Sequence, residues 1–346
     1  MIPVRDVARA CALGVLVTAT PATSRPETTR PLLGLAIEFP KSPTAAVERR
    51  AMEEVRSTGV DLFVLSLSWP EAEPSPRKYR VDEVTRTARI LRQSGATLHL
   101  DLPLVSGRRR DVPADLAAAA FDDPKLSLRL GQLLDALGPA LSDISTISLG
   151  YEADAYFADK PKELAAYRRL FDGAVDFLRR VAPHLAVGVT TAPPGESASP
   201  EVAAELHRTG AVLFYLYAPF VREKPYWHRP PDALETDWKR LLEGARGRAI
   251  AFPEVSYSSS ADNGSSPEKQ AEFVRRLRRL IASADGRQLL FARYVGWRDA
   301  PPGLYGAGAD VSEVLRRRAS FFAHRGLQGP RGEPKPAWKE WIRQAK

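Results

Sequence analysis

The sequence predicts an α/β fold in which eight parallel strands close into a (β/α)8 barrel within a single domain, and three observations predict it. Eight short apolar runs, rich in β-branched and aromatic residues, alternate with amphipathic helical stretches from residue 32 onward. Eight is also the number of strands that closes a parallel sheet around an interior filled with side chains. The competing open, doubly wound sheet would carry a glycine-rich phosphate turn after its first strand, and FPKSPT at 39–44 contains no glycine.

The elements follow in order. LLGLAIE at 32–38 is the first strand, and a helix over 44–58 starts from Ser42 or Thr44 as N-cap and ends at Gly59. DLFVLSL at 61–67 is the second strand, leading to Trp69; a helix over 81–94 stops at Gly95. TLHLDL at 97–102 is the third. A longer loop with Arg108, Arg109 and Arg110 precedes a helix at 125–137. ISTISL at 144–149 is the fourth strand and stops at Gly150; Pro161 then suits the first turn of a helix over 162–181. The fifth strand is 186–190 with a helix at 200–209 ending at Gly210, and the sixth is VLFYLY at 212–217 with a helix at 232–243. AIAF at 249–252 is the seventh, with a helix at 267–284, and LLFARYV at 289–295 the eighth, ending at Gly296-Trp297. About 40 residues, including a short helix at 311–321, separate it from a final helix at 337–344 and form an extended loop at one end of the barrel.

The 346 residues are 44% hydrophobic, ample for one large core. Arg5 and Arg9 precede a mildly apolar stretch at 10–18 and small residues, the pattern of an export signal over 1–22 cleaved after Ala19 or Ala22. Residues 23–31 read as a flexible leader. A secreted or periplasmic protein is therefore expected. Cys11, the one cysteine, lies inside the signal, so the mature chain would have no disulfide and no cysteine nucleophile. Five histidines, none at ligand spacing, predict no metal site, and nothing in the sequence calls for a cofactor. The formal charge is +8. Its basic cluster at Arg108, Arg109 and Arg110 follows a strand and would border the barrel mouth, where it could take an anionic polymer or serve as plain surface loop. No nucleic-acid motif accompanies the charge, and a monomer binding an oligo- or polysaccharide is expected.

The chemistry concentrates at two strand exits. Glu152 and Asp154, flanked by Tyr151 and Tyr156, follow the fourth strand, and Glu254 follows the seventh in Pro253-Glu254-Val255-Ser256-Tyr257. Residues just past the C-terminal ends of barrel strands are placed for catalysis. Two carboxylates are what glycosidic cleavage needs, one protonating the leaving oxygen and one attacking or activating water. Trp297, Tyr217, Trp69 and Tyr257 are candidate sugar platforms, Tyr226 and Trp227 sit in the loop after strand six, and Glu38 is a third carboxylate at the mouth. His99 and Asp101, at alternate positions of strand three, share a face and read as a hydrogen-bonded structural pair. Asp154 and Asp299 read as supports for these residues.

On these residues the chain resembles the clan A retaining (β/α)8 glycoside hydrolases, the endo-galactanase and β-glucanase type. The resemblance runs over 32–338 and includes the ending Arg325-Gly326-Leu327 through Pro334-Lys335-Pro336-Ala337-Trp338. It implies a retaining double displacement with Glu152 as acid/base and Glu254 as nucleophile, and Trp297 stacking on the sugar. Two departures stand out. Tyr151 replaces the Asn that usually precedes the acid/base and contacts the sugar 2-hydroxyl, and Ser256 stands where Gly is frequent. The Tyr151 departure keeps open a carbohydrate-binding barrel of little or no activity.

Overall fold

The apolar runs become the strands of one parallel sheet because most of their residues are buried, and burial favours continuous Val, Ile, Leu and aromatic sequence. The computed structural model describes residues 30–37, 44–305 and 311–343; the predicted export signal with Cys11, most of the leader, and Glu38 lie outside the described residues. The sheet has nine strands: β1 (Leu32–Ala36), β2 (Leu62–Ser66), β3 (Thr97–Asp101), β4 (Thr146–Ser148), β5 (Ala186–Gly188), β6 (Thr190–Thr191), β7 (Val212–Tyr217), β8 (Ala249–Val255) and β9 (Leu289–Val295). Their order is β5-β4-β3-β2-β1-β9-β8-β7-β6, and every pairing with a described register is parallel. The strands at the two ends of this order, β5 and β6, are separated along the chain only by Val189. They are the two halves of the predicted fifth strand, so nine strands fill the eight positions of a (β/α)8 barrel. Gly188 permits the close packing there, since a Cβ would lie 2.4 Å from the Val212 carbonyl.

Contacts divide the chain into two compact units, one comprising 44–49 and Leu62–Leu216 and the other 30–37, Arg50–Asp61, 217–305 and 311–343. In the first, β2, β3, β4 and β5 run in register from Leu62↔Thr97 through His99↔Thr146 to Thr146↔Ala186. Helices Asp82–Gln93, Pro124–Ala136 and Leu164–Val181 cover these strands. The Pro124 helix is started by Asp123, whose carboxylate accepts from the Lys125 N–H. Elements of this unit absent from the sequence prediction include short helices at Trp69–Ala72 and Gly138–Leu141, a two-stranded hairpin of Val105–Ser106 with Arg109–Arg110, and a helix at Ala153–Asp159.

In the second unit β1, β9 and β8 pair in parallel, with Leu32↔Phe291 and Ile250↔Leu289. Helix Pro267–Ser283 starts as the rules require, Ser266 accepting from the Lys269 N–H ahead of an amphipathic run. The chain's last helix, Pro336–Arg343, is held by Trp341, whose indole N–H donates to Thr58 Oγ1 at 3.1 Å. An unpredicted hairpin joins Phe220–Val221 to Lys224–His228 and packs aromatic rings against helix Glu313–Ala323, with Phe220 to Phe321 at 5.1 Å.

Candidate active site

The exit of β4 is built from crowding and one strained residue. Ser148 donates its hydroxyl hydrogen bond to the Gly150 carbonyl, 2.8 Å, turning the chain as the strand ends. Gly150 is required: a Cβ would sit 2.9 Å from Tyr167 Oη, 3.0 Å from Val189 Cγ1 and 3.2 Å from Ala153 Cβ. Tyr151 then joins the 105–110 hairpin as a third, parallel strand through Tyr151 N–H to Val105 O and Gly107 N–H to Tyr151 O, both 2.9 Å. Glu152 follows in the left-handed region, φ 49° and ψ 40°, and begins helix Ala153–Asp159. A non-glycine residue held there carries strain of order 1–2 kcal/mol. Its side chain is exposed, and its carboxylate rests on the hairpin turn, where a Cβ on Gly107 would be 3.1 Å from Oε2.

Asp154 holds this helix in place. It is buried and accepts from the Ala192 N–H at 3.1 Å and the Ser197 hydroxyl at 2.6 Å. Burial raises its pKa, and those two hydrogen bonds pull the other way. The expected His99–Asp101 pair is present and buried: Nε2 meets Asp101 Oδ1 at 3.0 Å and Nδ1 meets Thr146 Oγ1 at 2.8 Å.

The exit of β8 is built differently. The strand runs on through Val255, three residues past its predicted end, so Glu254 lies inside the strand rather than in a loop. Glu254 is half-buried, and among the described residues its carboxylate has no hydrogen bond or ion pair. The residues after it are locked. Ser256 is buried and its N–H donates to the Tyr217 carbonyl at 3.0 Å. The Ser258 N–H donates to His228 Nε2 at 2.9 Å, which places that ring's proton on Nδ1. Burial pushes the His228 pKa down to about 3, so the imidazole is neutral at ordinary pH. Asn263 ties the loop to its neighbours, donating to the Tyr226 carbonyl at 2.8 Å and the Arg317 carbonyl at 2.9 Å.

Beyond β9, Lys335 of the closing segment donates to Asp299 Oδ1 at 3.0 Å and to the Gly326 carbonyl at 2.6 Å. Gly326 itself has no room for a side chain, its Cβ position lying 2.0 Å from the Asp299 nitrogen.

Four aromatics expected as sugar platforms do not present an open face. Trp69 is wholly buried and its indole donates to Glu73 Oε2 at 2.8 Å. Tyr257 is stacked against His228 at 4.0 Å and donates to the Arg229 carbonyl. Tyr217 is buried and donates to Asp237 Oδ2 at 2.8 Å. Trp297 is only 4% exposed, with the Arg298 guanidinium over its ring at 3.8 Å. In each case a neighbour supplies the stacking or hydrogen bond that a sugar would have supplied. The Trp297 indole N–H, however, is buried with no partner among the described residues. Tyr151, Tyr226 and Trp227 are partly exposed, and Lys224 sits 3.1 Å over the Trp227 ring. Glu38 lies outside the described residues.

The arginine cluster is divided among roles. Arg110 is structural, donating to the Ala119 carbonyl at 2.7 Å and lying 4.0 Å over the Phe121 ring. Arg108 makes an exposed ion pair with Asp159 at 3.3 Å, and Arg109 is exposed. Among the described residues no group of three His, Cys, Asp or Glu could hold a metal ion, and no helix is long and apolar enough to cross a membrane.

Neither a protein-family model nor a curated protein matches this chain by sequence. Solved structures do resemble it. GH5_18 from Streptomyces cattleya, in complex with GlcNAc, has a TM-score of 0.63 at 16% identity over 91% of this chain and 79% of that one. A GH5_18 from Bifidobacterium longum subsp. infantis has a TM-score of 0.64 at 17% identity, covering 92% and 79%. An exo-beta-1,4-mannosidase from Opitutaceae bacterium strain TAV5 has 0.60 at 15% identity, covering 91% of this chain and 59% of that enzyme. At such identities the likeness shows the fold, the (β/α)8 barrel that the strand order also describes.

Proposed function

We propose that this protein is an exported, retaining glycoside hydrolase in which Glu254 is the nucleophile and Glu152 the acid/base. The observation that carries the reading is the Glu254 carboxylate: half-buried at the C-terminal end of a barrel strand, with no protein partner among the described residues. Burying a carboxylate without a partner is costly, and a site that binds a cationic transition state is where that cost is offset. Trp297, after the next strand, adds a buried N–H donor that also has no protein partner. The similar folds support the same class, since those structures include an exo-beta-1,4-mannosidase and a GH5_18 with bound GlcNAc.

In the first step the Glu254 carboxylate attacks the anomeric carbon as the bond to the leaving oxygen breaks, and Glu152 gives its proton to that oxygen. In the second, the Glu152 carboxylate takes a proton from water, whose oxygen attacks the anomeric carbon and frees Glu254. The exposure of Glu152 suits a group that must meet a departing sugar and then a water. The strained backbone fixes the direction in which its side chain leaves the strand.

A fluorosugar that traps the glycosyl-enzyme tests this directly. With a panel of 2-fluoro β-glycosides that includes mannosyl and glucosyl forms, mass spectrometry should find one adduct, on the peptide containing Glu254. A protein that binds oligosaccharide but forms no adduct would instead be a carbohydrate-binding barrel, the reading that Tyr151 favours by replacing the Asn of the clan pattern. For the export signal, the secreted protein should begin at Thr20 or Thr23.

A further inference from the structure

We propose that the sugar on the leaving-group side of the bond carries an acidic group, which Arg109, seconded by Arg108, recognises next to Glu152. The inference rests on the acid/base role proposed for Glu152, because a general acid stands beside the group that departs.

The argument begins with three strands. Tyr151 is bridged to Ser106 in parallel, and Ser106 is paired with Arg109 in the antiparallel hairpin. Residues directly opposite one another across paired strands project from the same face of the ribbon. Tyr151, Ser106 and Arg109 therefore form a row on one face. The opposite face carries Val105, which is buried, and Arg110, which packs on Phe121. Adjacent strands are about 4.8 Å apart, so Arg109 starts about 10 Å from Tyr151 with only a serine between. An extended arginine spans most of that gap.

The turn of the hairpin completes the arrangement. Gly107 has φ 59° and occupies the first central position of a two-residue turn, which type II′ hairpins reserve for glycine. It is this glycine that the Glu152 carboxylate rests against, so the two residues that follow, Arg108 and Arg109, are set at the edge of the acid/base. Arg109 has no side-chain hydrogen bond or ion pair among the described residues; its charge acts on the buried Asp111, whose pKa burial raises. Arg108 is tied to Asp159 only by a pair that leaves its side chain 83% exposed, and such a pair is weak enough for a ligand to replace. Two guanidinium groups not committed to the fold, beside a proton donor and on the face of a half-buried tyrosine, fit a sugar carboxylate or sulfate. The guanidinium fork engages either one through paired hydrogen bonds.

The test compares three matched probes: cellotetraose, its C6-oxidised form bearing a carboxylate on each ring, and its 6-O-sulfated form. Binding is measured by calorimetry on the full chain carrying Glu254→Gln, so that turnover does not intervene. At least one acidic probe should bind tenfold or more tightly than cellotetraose, and the two acidic arms tell uronate from sulfate. Arg109→Ala should abolish that preference, Arg109→Lys should keep part of it, and raising salt from 50 to 500 mM should shrink it. Acidic probes that bind no better than cellotetraose, or a preference that survives Arg108→Ala with Arg109→Ala, would overturn the inference. Thermal melts check that these exposed substitutions leave the fold intact. The fluorosugar adduct on Glu254 is read separately: an adduct without acidic preference removes this inference alone, and a preference without an adduct removes the hydrolase reading and with it the leaving-group assignment, leaving only an acidic-sugar site at Arg109.

Discussion

The two glutamate exits differ in how they hold a carboxylate. At β4 the residue before Glu152 is bound into a hairpin, the residue two after it is pinned by Ala192 and Ser197, and Glu152 between them is strained and exposed. At β8 Glu254 is half-buried inside the strand, whose pairing with β9 shifts register between Phe252 and Val255, and the segment that follows is locked by the Tyr217 carbonyl, a neutral histidine and Asn263. The first design aims a side chain by bending the backbone and leaves it open to solvent. The second immobilises a charge within an ordered frame. An acid/base must exchange protons with incoming water, whereas a nucleophile must stay fixed through bond formation, and the difference suits the roles in the order we propose.

That comparison breaks most visibly under substitution of the carboxylates. Glu254→Gln should take turnover below detection. Glu152→Gln should cost about 10²–10⁴-fold on glycosides whose leaving group needs a proton. It should cost far less on dinitrophenyl glycosides, whose leaving group needs none. Initial rates on the paired substrates check this, and equal losses on both would remove the acid role from Glu152.

The rigidity of the second unit is tested next at Lys335, which burial drives below the ordinary lysine pKa while Asp299 draws it back. Lys335→Met leaves the Asp299 carboxylate without its cation and should destabilise by about 3 kcal/mol, read as a lower urea midpoint. His228 sharpens the same point through pH. Its folded pKa of about 3 lies below the unfolded value near 6.5, so the folded state binds fewer protons between them. Its contribution is therefore complete above pH 6.5 and is lost as pH falls, at up to about 1.4 kcal/mol per pH unit. Melting temperature should drop on acidification from pH 6.5, and His228→Gln should flatten that slope.

The smallest effect belongs to the strained exit. Glu152→Gly should abolish acid/base function yet raise stability by about 1 kcal/mol, because glycine adopts the left-handed conformation without the Cβ clash. Urea unfolding of this variant beside Glu152→Gln, which keeps the Cβ, separates backbone relief from loss of the charge.

Periodicity and composition alone determined the barrel strands, the helices that alternate with them and the place of Glu152 just past a strand, whereas Glu254, read as lying past its strand, sits inside it. Hydrophobic runs such as VLFYLY and the stops at Gly59, Gly95, Gly150 and Gly210 act through local sterics and burial, and the chain carries those locally. The Ser106-Gly107 pair was a legible turn signal for the hairpin beside Glu152, although its strands of two residues are too short to show a pattern. What only the tertiary structure decided was which side chains face outward. Trp69, Tyr217, Tyr257 and Trp297 sit at the expected strand ends, yet Glu73, Asp237, the Arg229 carbonyl and Arg298 reach them across gaps of 1–28 residues. The left-handed Glu152 and the pinning of Asp154 by Ser197, 43 residues on, have the same origin. An aromatic or a carboxylate reads the same in sequence whether its partner will be protein or sugar, because the partner comes from elsewhere in the fold.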